Sequence, residues 1–368
     1  MMDLVNCFLN LVVPPASMLM LAFAWPTLCF IRSCEWLYNT LYSDPHMDAK
    51  VVIITGASSG IGEQIAYEYA KRGANLVLVA RREDRLQAIR QKATQIGAKN
   101  VLIIAADVVK EEDCRRFVNE TVNLYGRVDH LVNTVSLGHT FYFEEATDTS
   151  MFPHFLDINF WGNVYPTFAA LPHLHKSKGR IIVNASVENW LPLPRMSLYA
   201  AAKAALVNFY ETLRLEVIND EIGITIATHG WVGADMSRGK FMLEEGADMQ
   251  WKEEREVRAS GGTVEEYARL IVSGACRGDA YVKYPSWHDT FLLYRVFAPN
   301  VLSWTFRLLL STNGKRKTSM EGVGKPVSTA TYNAMEAATT SPSKLQATSP
   351  RKLPPGPITF SYSPQKMD

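Results

Sequence analysis

The feature that most limits what this chain can fold into is an alternation of short apolar runs with helical patterns between about residues 50 and 285. The runs are rich in Val, Ile and Leu and span residues 51–55, 76–80, 101–106, 130–133, 180–185 and 224–229. Runs of this length indicate buried strands, and helical crossovers between them return the chain to a parallel sheet. We therefore predict an α/β fold built on a doubly wound parallel sheet.

A glycine-rich loop follows the first of these strands and precedes a helix. Gly56 permits the tight turn, Gly60 lets the backbone approach a pyrophosphate, and Gly62 allows close helix packing. The helix N-terminus adds amide donors for the negative charge. We predict a Rossmann-type nucleotide site that uses Gly56, Ser58, Ser59, Gly60, Ile61 and Gly62. A glycine turn without a ligand is the alternative.

The residues after the second strand favour NADP(H) over NAD(H). Arg81 and Arg82 stand about where an NAD-binding protein would place an acid against the ribose, and two arginines suit a 2′-phosphate. Their alternative role is that of solvated loop residues. Asp107 and Val108, after the third strand, are predicted to meet the adenine, with a turn cap as the alternative for Asp107.

Four polar residues form a candidate proton-transfer site. Tyr199 and Lys203 lie four apart in a helical stretch, so both side chains share one face. A neighbouring ammonium is expected to lower the tyrosine pKa. Ser186, at the end of the fifth strand, is placed to bond a substrate oxygen, and Asn159 is a candidate for a water relay to Lys203.

Together these motifs resemble the short-chain dehydrogenase/reductase superfamily over about residues 50–236. The resemblance implies Tyr199 as acid/base, Ser186 as the residue that orients the carbonyl, Lys203 at the nicotinamide ribose and Asn159 at the relay water. It also places Asn133 and Val232 among the cofactor contacts. A dimer built on the helices that follow Asn159 and Ser197 is implied as well.

The rest of the chain is similar to the plant steroleosins, an 11-beta-hydroxysteroid dehydrogenase-like family, through its proline-containing anchor and residues 281–287. That resemblance implies NADP(H)-linked interconversion of a hydroxyl and a ketone on a sterol-like substrate. It also implies a lipid-droplet or endoplasmic reticulum location with the catalytic domain facing the cytosol. An endoplasmic reticulum reductase of fatty acyl or retinoid intermediates remains a further alternative.

Several residues depart from the superfamily pattern. Thr134, Val135 and Ser136 replace small residues after the fourth strand, and Ala234 replaces a threonine that often meets the nicotinamide amide. These changes support an alternative function, that of a lipid-droplet surface or sterol-binding protein with little or no catalysis. His229, where proline is common, is given a packing or loop role.

The flanks divide the chain into segments 1–45, 46–285, 286–312 and 313–368. Residues 4–31 carry no charge, and Pro14-Pro15 within them favour a membrane hairpin over a single spanning helix. Segment 286–312 indicates a surface-lying or dimer-packing helix pair, and the polar tail 313–368 is predicted to be disordered. Residues 236–262 are a candidate substrate lid, with a solvated helix as the alternative.

The net charge and the cysteine spacing argue against a nucleic-acid-binding protein and against a metal site. The chain has 38 basic and 37 acidic side chains, so no strong field attracts nucleic acid. Its five cysteines lack Cys-x-x-Cys spacing, and no Cys/His cluster suits a metal. We therefore expect free thiols, no metal and no nucleic-acid partner.

Overall fold

The fold is seen in a computed structural model of the chain. The structure describes residues 2–42, 47–58, 60–138, 151–194, 196–230 and 262–310, together with Phe143, Ala146 and Thr149. The candidate lid up to residue 261 and the tail from residue 311 lie outside this part of the chain.

The described residues form one seven-stranded sheet with every neighbouring pair parallel, in the order β3-β2-β1-β4-β5-β6-β7. Its strands are β1 Val51–Thr55, β2 Asn75–Ala80, β3 Asn100–Ala105, β4 His130–Asn133, β5 Arg180–Ser186, β6 Gly223–His229 and β7 Tyr281–Tyr284. The predicted Rossmann-type sheet is confirmed. The sequence analysis missed only β7 among these, because Lys283 interrupts a four-residue run at the edge of the sheet.

Helices cover both faces of this sheet. In chain order the helices with described bounds are α1 Met2–Tyr42, α2 Gly60–Lys71, α3 Glu83–Ile96, α4 Glu111–Tyr125, α5 Met151–Leu156, α6 Gly162–Ser177, α7 Ser197–Glu216, α8 Val264–Arg277, α9 Thr290–Phe297 and α10 Pro299–Leu310. Residues of α2, α3 and α8 share one apolar cluster with the sheet, and residues of α4, α6 and α7 share the other. The two clusters bury the apolar side chains that alternate along β1.

The strand order reverses between β1 and β4, and this reversal positions the site. From β1 the chain winds outward to β3, then returns to β4 and winds the other way. A crevice forms outside the carboxyl ends of the strands where the winding direction changes, and such crevices bind ligands in open α/β sheets. The glycine loop after β1 and residues 134–138 after β4 both lie at this reversal.

The N-terminal segment is a single helix, so the hairpin prediction is wrong. Helix α1 runs from Met2 to Tyr42 through Pro14-Pro15 without a break. Each proline removes one amide donor and crowds the carbonyl four residues earlier, but one continuous helix satisfies most of the remaining backbone groups internally. Leu11–Ile31 is 21 residues long, apolar enough to cross a bilayer, and not buried against the rest of the chain. This is compatible with membrane anchoring.

Two short helices, α9 and α10, follow β7 and match the helix pair predicted for 286–312. Their side chains leave Tyr294, Val296, Phe297, Val301 and Trp304 exposed. Exposed apolar side chains of this kind suit a surface that contacts a membrane or another protein.

Candidate active site

The glycine loop has the geometry of a phosphate cradle. Gly56 and Gly60 have φ values of +67° and +41°, in the region that favours glycine. A Cβ at Gly62 would overlap the carbonyl oxygen of Gly56, whereas one at Gly60 would meet nothing within 4 Å. The start of α2 therefore has open space in front of its first amides. Ser59 lies outside the described residues.

Thr134 supports this loop. Its Oγ1 donates to the carbonyl oxygen of Thr55 over 2.7 Å, and it lies beside the Cα atoms of Gly56 and Gly62. The side chain of Thr134 is therefore part of the loop's packing.

Arg82 contacts the glycine loop directly. Its Nη2 donates to the carbonyl oxygen and to Oγ of Ser58, both over 3.3 Å. Arg81 is exposed beside it. The structure thus brings two cations to the point where β2 ends and α2 begins.

Asp107 forms a turn before α4. Its Oδ1 accepts from the amide of Val109 over 3.3 Å, and its own amide donates to Asp113. The side chain of Val108 is buried. These contacts match the cap predicted as the alternative role of Asp107.

Tyr199 and Lys203 lie one turn apart on α7, as their spacing predicts, and both are buried. Lys203 Nζ is 5.6 Å from the centre of the Tyr199 ring and donates to the carbonyl oxygen of Asn184 over 3.1 Å. The strand-end carbonyl therefore fixes the ammonium beside the phenol.

A second hydroxyl joins Tyr199 to Asn159. Ser136 Oγ is 3.5 Å from Tyr199 Oη and 3.1 Å from Asn159 Oδ1. Asn159 lies in a π-helical turn, Asp157–Trp161, and its Nδ2 donates to the carbonyl oxygens of Leu137 and Phe155. Such turns are frequent at functional sites. The arrangement links a phenol, a hydroxyl and an amide in one hydrogen-bonded line.

Ser186 ends β5 and faces a buried acid. Its Oγ is hydrogen-bonded to Oε2 of Glu188 and lies 3.3 Å from the carbonyl oxygen of His229. The ring of His229 packs edge-on against Tyr267, which matches the packing role predicted for it. Burial lowers the pKa of His229 to about 4, so this ring is neutral at neutral pH.

In this geometry burial, and not the neighbouring ammonium, has the largest effect on the pKa of Tyr199. Burial raises the pKa of the Tyr199 phenol, the Glu188 carboxyl raises it further, and the hydroxyls of Ser136 and Ser186 oppose them. Burial also lowers the pKa of Lys203 to about 7, against the opposing effect of Glu188. Because both charged forms lose their hydration, Tyr199 remains a neutral acid in the neutral range.

Asn133 lies beneath the site. Its Nδ2 donates to Asn163, Thr167 and Tyr210, and its Oδ1 accepts from Thr55. Because these partners occupy the side chain, it braces β4 against the helices, and a cofactor contact by Asn133 stays a prediction. Val232 and Ala234 lie outside the described residues.

Sequence reasoning missed Glu188 and gave Ser136 no role. Ser136 was noted only as a residue that departs from the superfamily pattern. Glu188 is an acid in an apolar run, two residues after a residue already assigned to the substrate oxygen. That position just beyond the carboxyl end of a central strand was the available signal.

Comparison with known proteins identifies the fold family. A family model described as short chain dehydrogenase matches residues 50–244. The chain is also 70% identical to "11-beta-hydroxysteroid dehydrogenase B" of Sesamum indicum over 363 residues, which is 98% of each chain. The chain belongs to the short-chain dehydrogenase family.

Solved structures of similar fold carry nicotinamide cofactors. An alcohol dehydrogenase from Thermococcus sibiricus, complexed with 5-hydroxy-NADP, is 26% identical, with a TM-score of 0.54 over 64% of this short-chain dehydrogenase and 95% of that chain. An NADH-dependent reductase, A1-R′, complexed with NAD, is 23% identical, with a TM-score of 0.54 over 66% and 97%. These neighbours bind NAD or NADP, and the second shows likeness of fold alone.

Proposed function

We propose that this short-chain dehydrogenase interconverts a hydroxyl and a ketone on a hydrophobic, steroid-like substrate with NADP(H). The observation that carries the proposal is the buried pair Tyr199 and Lys203 on one face of α7, with Ser186 at the adjoining strand end. A bound nicotinamide would supply the hydride for reduction, while Tyr199 as a neutral acid would donate the proton to the carbonyl oxygen of the substrate, and oxidation of the alcohol would need Tyr199 in its ionised form.

Each residue has a separate task in this reaction. Tyr199, kept neutral by burial, donates its proton to the carbonyl oxygen during reduction. Ser186 donates a second hydrogen bond to that oxygen and stabilises its developing charge. Lys203 holds the nicotinamide ribose, and Asn159 with Ser136 supplies hydrogen bonds through which the proton at Tyr199 Oη is replaced.

The glycine loop fits a dinucleotide. Gly60 leaves open space at the start of α2, where a pyrophosphate would accept from the helix amides. Gly56 and Gly62 are required by the backbone itself, through a positive φ and a close approach. A side chain at Gly60 would fill the space that a phosphate needs.

Arg82 is the residue on which the choice of NADP(H) depends. Arg82→Gln should weaken NADP(H) binding by roughly tenfold or more, because a charge-assisted bond to the 2′-phosphate is lost. NAD(H), which lacks that phosphate, should bind nearly as before. Titration of both cofactors by nicotinamide fluorescence measures the ratio.

Arg90→Gln is the matched control, because Arg90 is exposed on α3, the helix that Arg82 directly precedes, and carries the same charge. It should leave both affinities unchanged. An equal loss of NADP(H) and NAD(H) binding in Arg82→Gln would instead assign Arg82 to holding Ser58 in place and would contradict the cofactor proposal.

The substrate class follows from the similarity to a protein named 11-beta-hydroxysteroid dehydrogenase. The test is a purified full-length chain assayed with an 11-ketosteroid and each reduced cofactor, and in reverse with the 11β-alcohol. Steroid-dependent oxidation of NADPH supports the proposal. Steroid binding without turnover would support the non-catalytic sterol-binding function instead.

The substrate's low solubility agrees with a membrane or lipid-droplet location for this chain, anchored by α1 with the catalytic domain in the cytosol. Deletion of residues 2–42 should move the protein from the membrane or droplet fraction to the supernatant, because the apolar helix is lost. Fractionation followed by immunoblotting measures this shift, and fluorescence of a fusion to residues 1–45 distinguishes droplet from endoplasmic reticulum.

Deletion of residues 313–368 is the control and should leave the distribution unchanged. Retention of the 2–42 deletion on membranes would show that another surface, such as the exposed face of α9 and α10, carries the attachment.

A further inference from the structure

Glu188 is a buried acid that the reaction described above does not use. It lies in the short 3-10 helix Val187–Asn189, directly after β5, and its side chain is only 4% exposed. Its Oε2 is hydrogen-bonded to Oγ of Ser186. Its side-chain hydrogen-bond partner among the described residues is thus a hydroxyl, and Lys203 acts on it only through its charge, which is a costly setting for a buried carboxylate.

The contact matters because Ser186 has only one hydrogen to donate. A serine hydroxyl has one hydrogen to donate and two lone pairs to accept with. An ionised Glu188 only accepts, so it takes the hydrogen of Ser186 and leaves none for a substrate oxygen. A protonated Glu188 donates to Ser186 Oγ instead, and the hydrogen of Ser186 can then leave the carbonyl oxygen of His229, 3.3 Å away, and point at the substrate.

We propose that Glu188 is a positioning residue that acts in its protonated form, by donating to Ser186 so that Ser186 donates to the carbonyl oxygen of the substrate. This inference rests on the proposed function. Protonation of Glu188 also keeps a negative charge away from the oxygen that becomes an alkoxide during reduction.

The groups around Glu188 set the direction of the pH effect. Burial raises the pKa of its carboxyl, while the Ser186 hydroxyl and the Lys203 ammonium oppose this. The other titratable groups here are Tyr199, whose phenol is neutral, and His229, whose ring is neutral. The acid form of Glu188 therefore persists above the usual range of a glutamate, and it is lost as pH rises through the raised pKa.

The test compares pH profiles of kcat for reduction of an 11-ketosteroid by NADPH in the purified full-length chain. Wild type should lose activity as pH rises through the Glu188 pKa. The side chain of Glu188→Gln is always neutral and donates through its amide. The kcat of the variant should therefore stay within roughly tenfold of the wild-type value, which corresponds to about one neutral hydrogen bond. The fall in kcat at high pH should be missing from this variant. In a Ser186→Ala background, Glu188→Gln should leave the profile unchanged, because the acid acts through Ser186.

An infrared titration gives a readout besides activity. The carbonyl stretch of a protonated buried carboxyl should be present in wild type at low pH, disappear as pH rises, and be missing from Glu188→Gln. An identical pH profile for wild type and Glu188→Gln, or a Glu188 that is ionised throughout, would overturn this inference but not the proposed function. Failure of wild type to reduce the steroid at any pH would refute the proposed function, and the inference with it.

Discussion

Replacement of Tyr199 by Phe is expected to lower kcat for ketosteroid reduction by roughly 100-fold to 10,000-fold, the range that general acid–base catalysis contributes. The substitution removes the phenol oxygen, which is 3.5 Å from Ser136 Oγ, and keeps the buried ring. Binding of NADP(H) should remain nearly intact, because the glycine loop and Lys203 are unchanged. Single-turnover kinetics together with fluorescence titration separate the two effects.

Tyr210→Phe is the matched control for this variant. Tyr210 is also buried on α7, and its Oη donates to the carbonyl oxygen of Asn163 over 2.7 Å, away from the proton-transfer pair. Its loss removes one buried hydrogen-bond partner each from Asn133, Thr167 and Asn163, so it should reduce the free energy of unfolding by about 1–3 kcal/mol and leave kcat near the wild-type value. An active Tyr199→Phe enzyme would refute the role given to Tyr199.

Lys203→Met should weaken both cofactor binding and turnover. A hydrogen bond from a charged group contributes about 1.5–3 kcal/mol, so the Kd for NADP(H) should rise roughly tenfold to a hundredfold. The thermal unfolding midpoint should not fall, because an apolar side chain of similar length replaces a buried ammonium whose pKa burial lowers to about 7. Calorimetry and cofactor titration on the same preparation measure both quantities.

Lys176→Met, on the exposed side of α6, provides the charge-matched control and should change neither quantity. If Lys203→Met keeps the wild-type affinity for the cofactor, the ammonium stabilises β5 through its bond to Asn184 and does not bind the nucleotide. The contrast between positions 199 and 203 therefore separates proton transfer from cofactor binding on a single helical face.

Much of the fold was predictable because the central strands carry their own signal. In β1 and β2 every residue is buried, and a strand covered on both faces must be apolar throughout. Strand β7 was missed for the opposite reason, since Tyr281 and Lys283 are exposed at the sheet edge. The continuous helix through Pro14-Pro15 was not favoured, because the rule that proline breaks a helix was given more weight than the length of the apolar segment around it.

The site was predictable where it depends on local spacing and unpredictable where it depends on packing. Tyr199 and Lys203 share a helix, so four residues fix their relation. Ser136, which follows β4, comes close to Tyr199 of α7 only through the packing of the fold. Glu188 is two residues from Ser186 in the sequence, but its burial depends on packing as well. The pKa directions were also beyond the sequence, since burial, which no spacing reveals, is their main cause.

The most direct test of the central claim is transfer of label from NADPH that carries deuterium at the transferable position of its nicotinamide. The full-length chain, incubated with this cofactor and an 11-ketosteroid, should yield the alcohol with one deuterium on the carbinol carbon, and Tyr199→Phe should yield almost none. Recovery of unreacted, unlabelled steroid from a wild-type protein that binds both molecules would contradict the account.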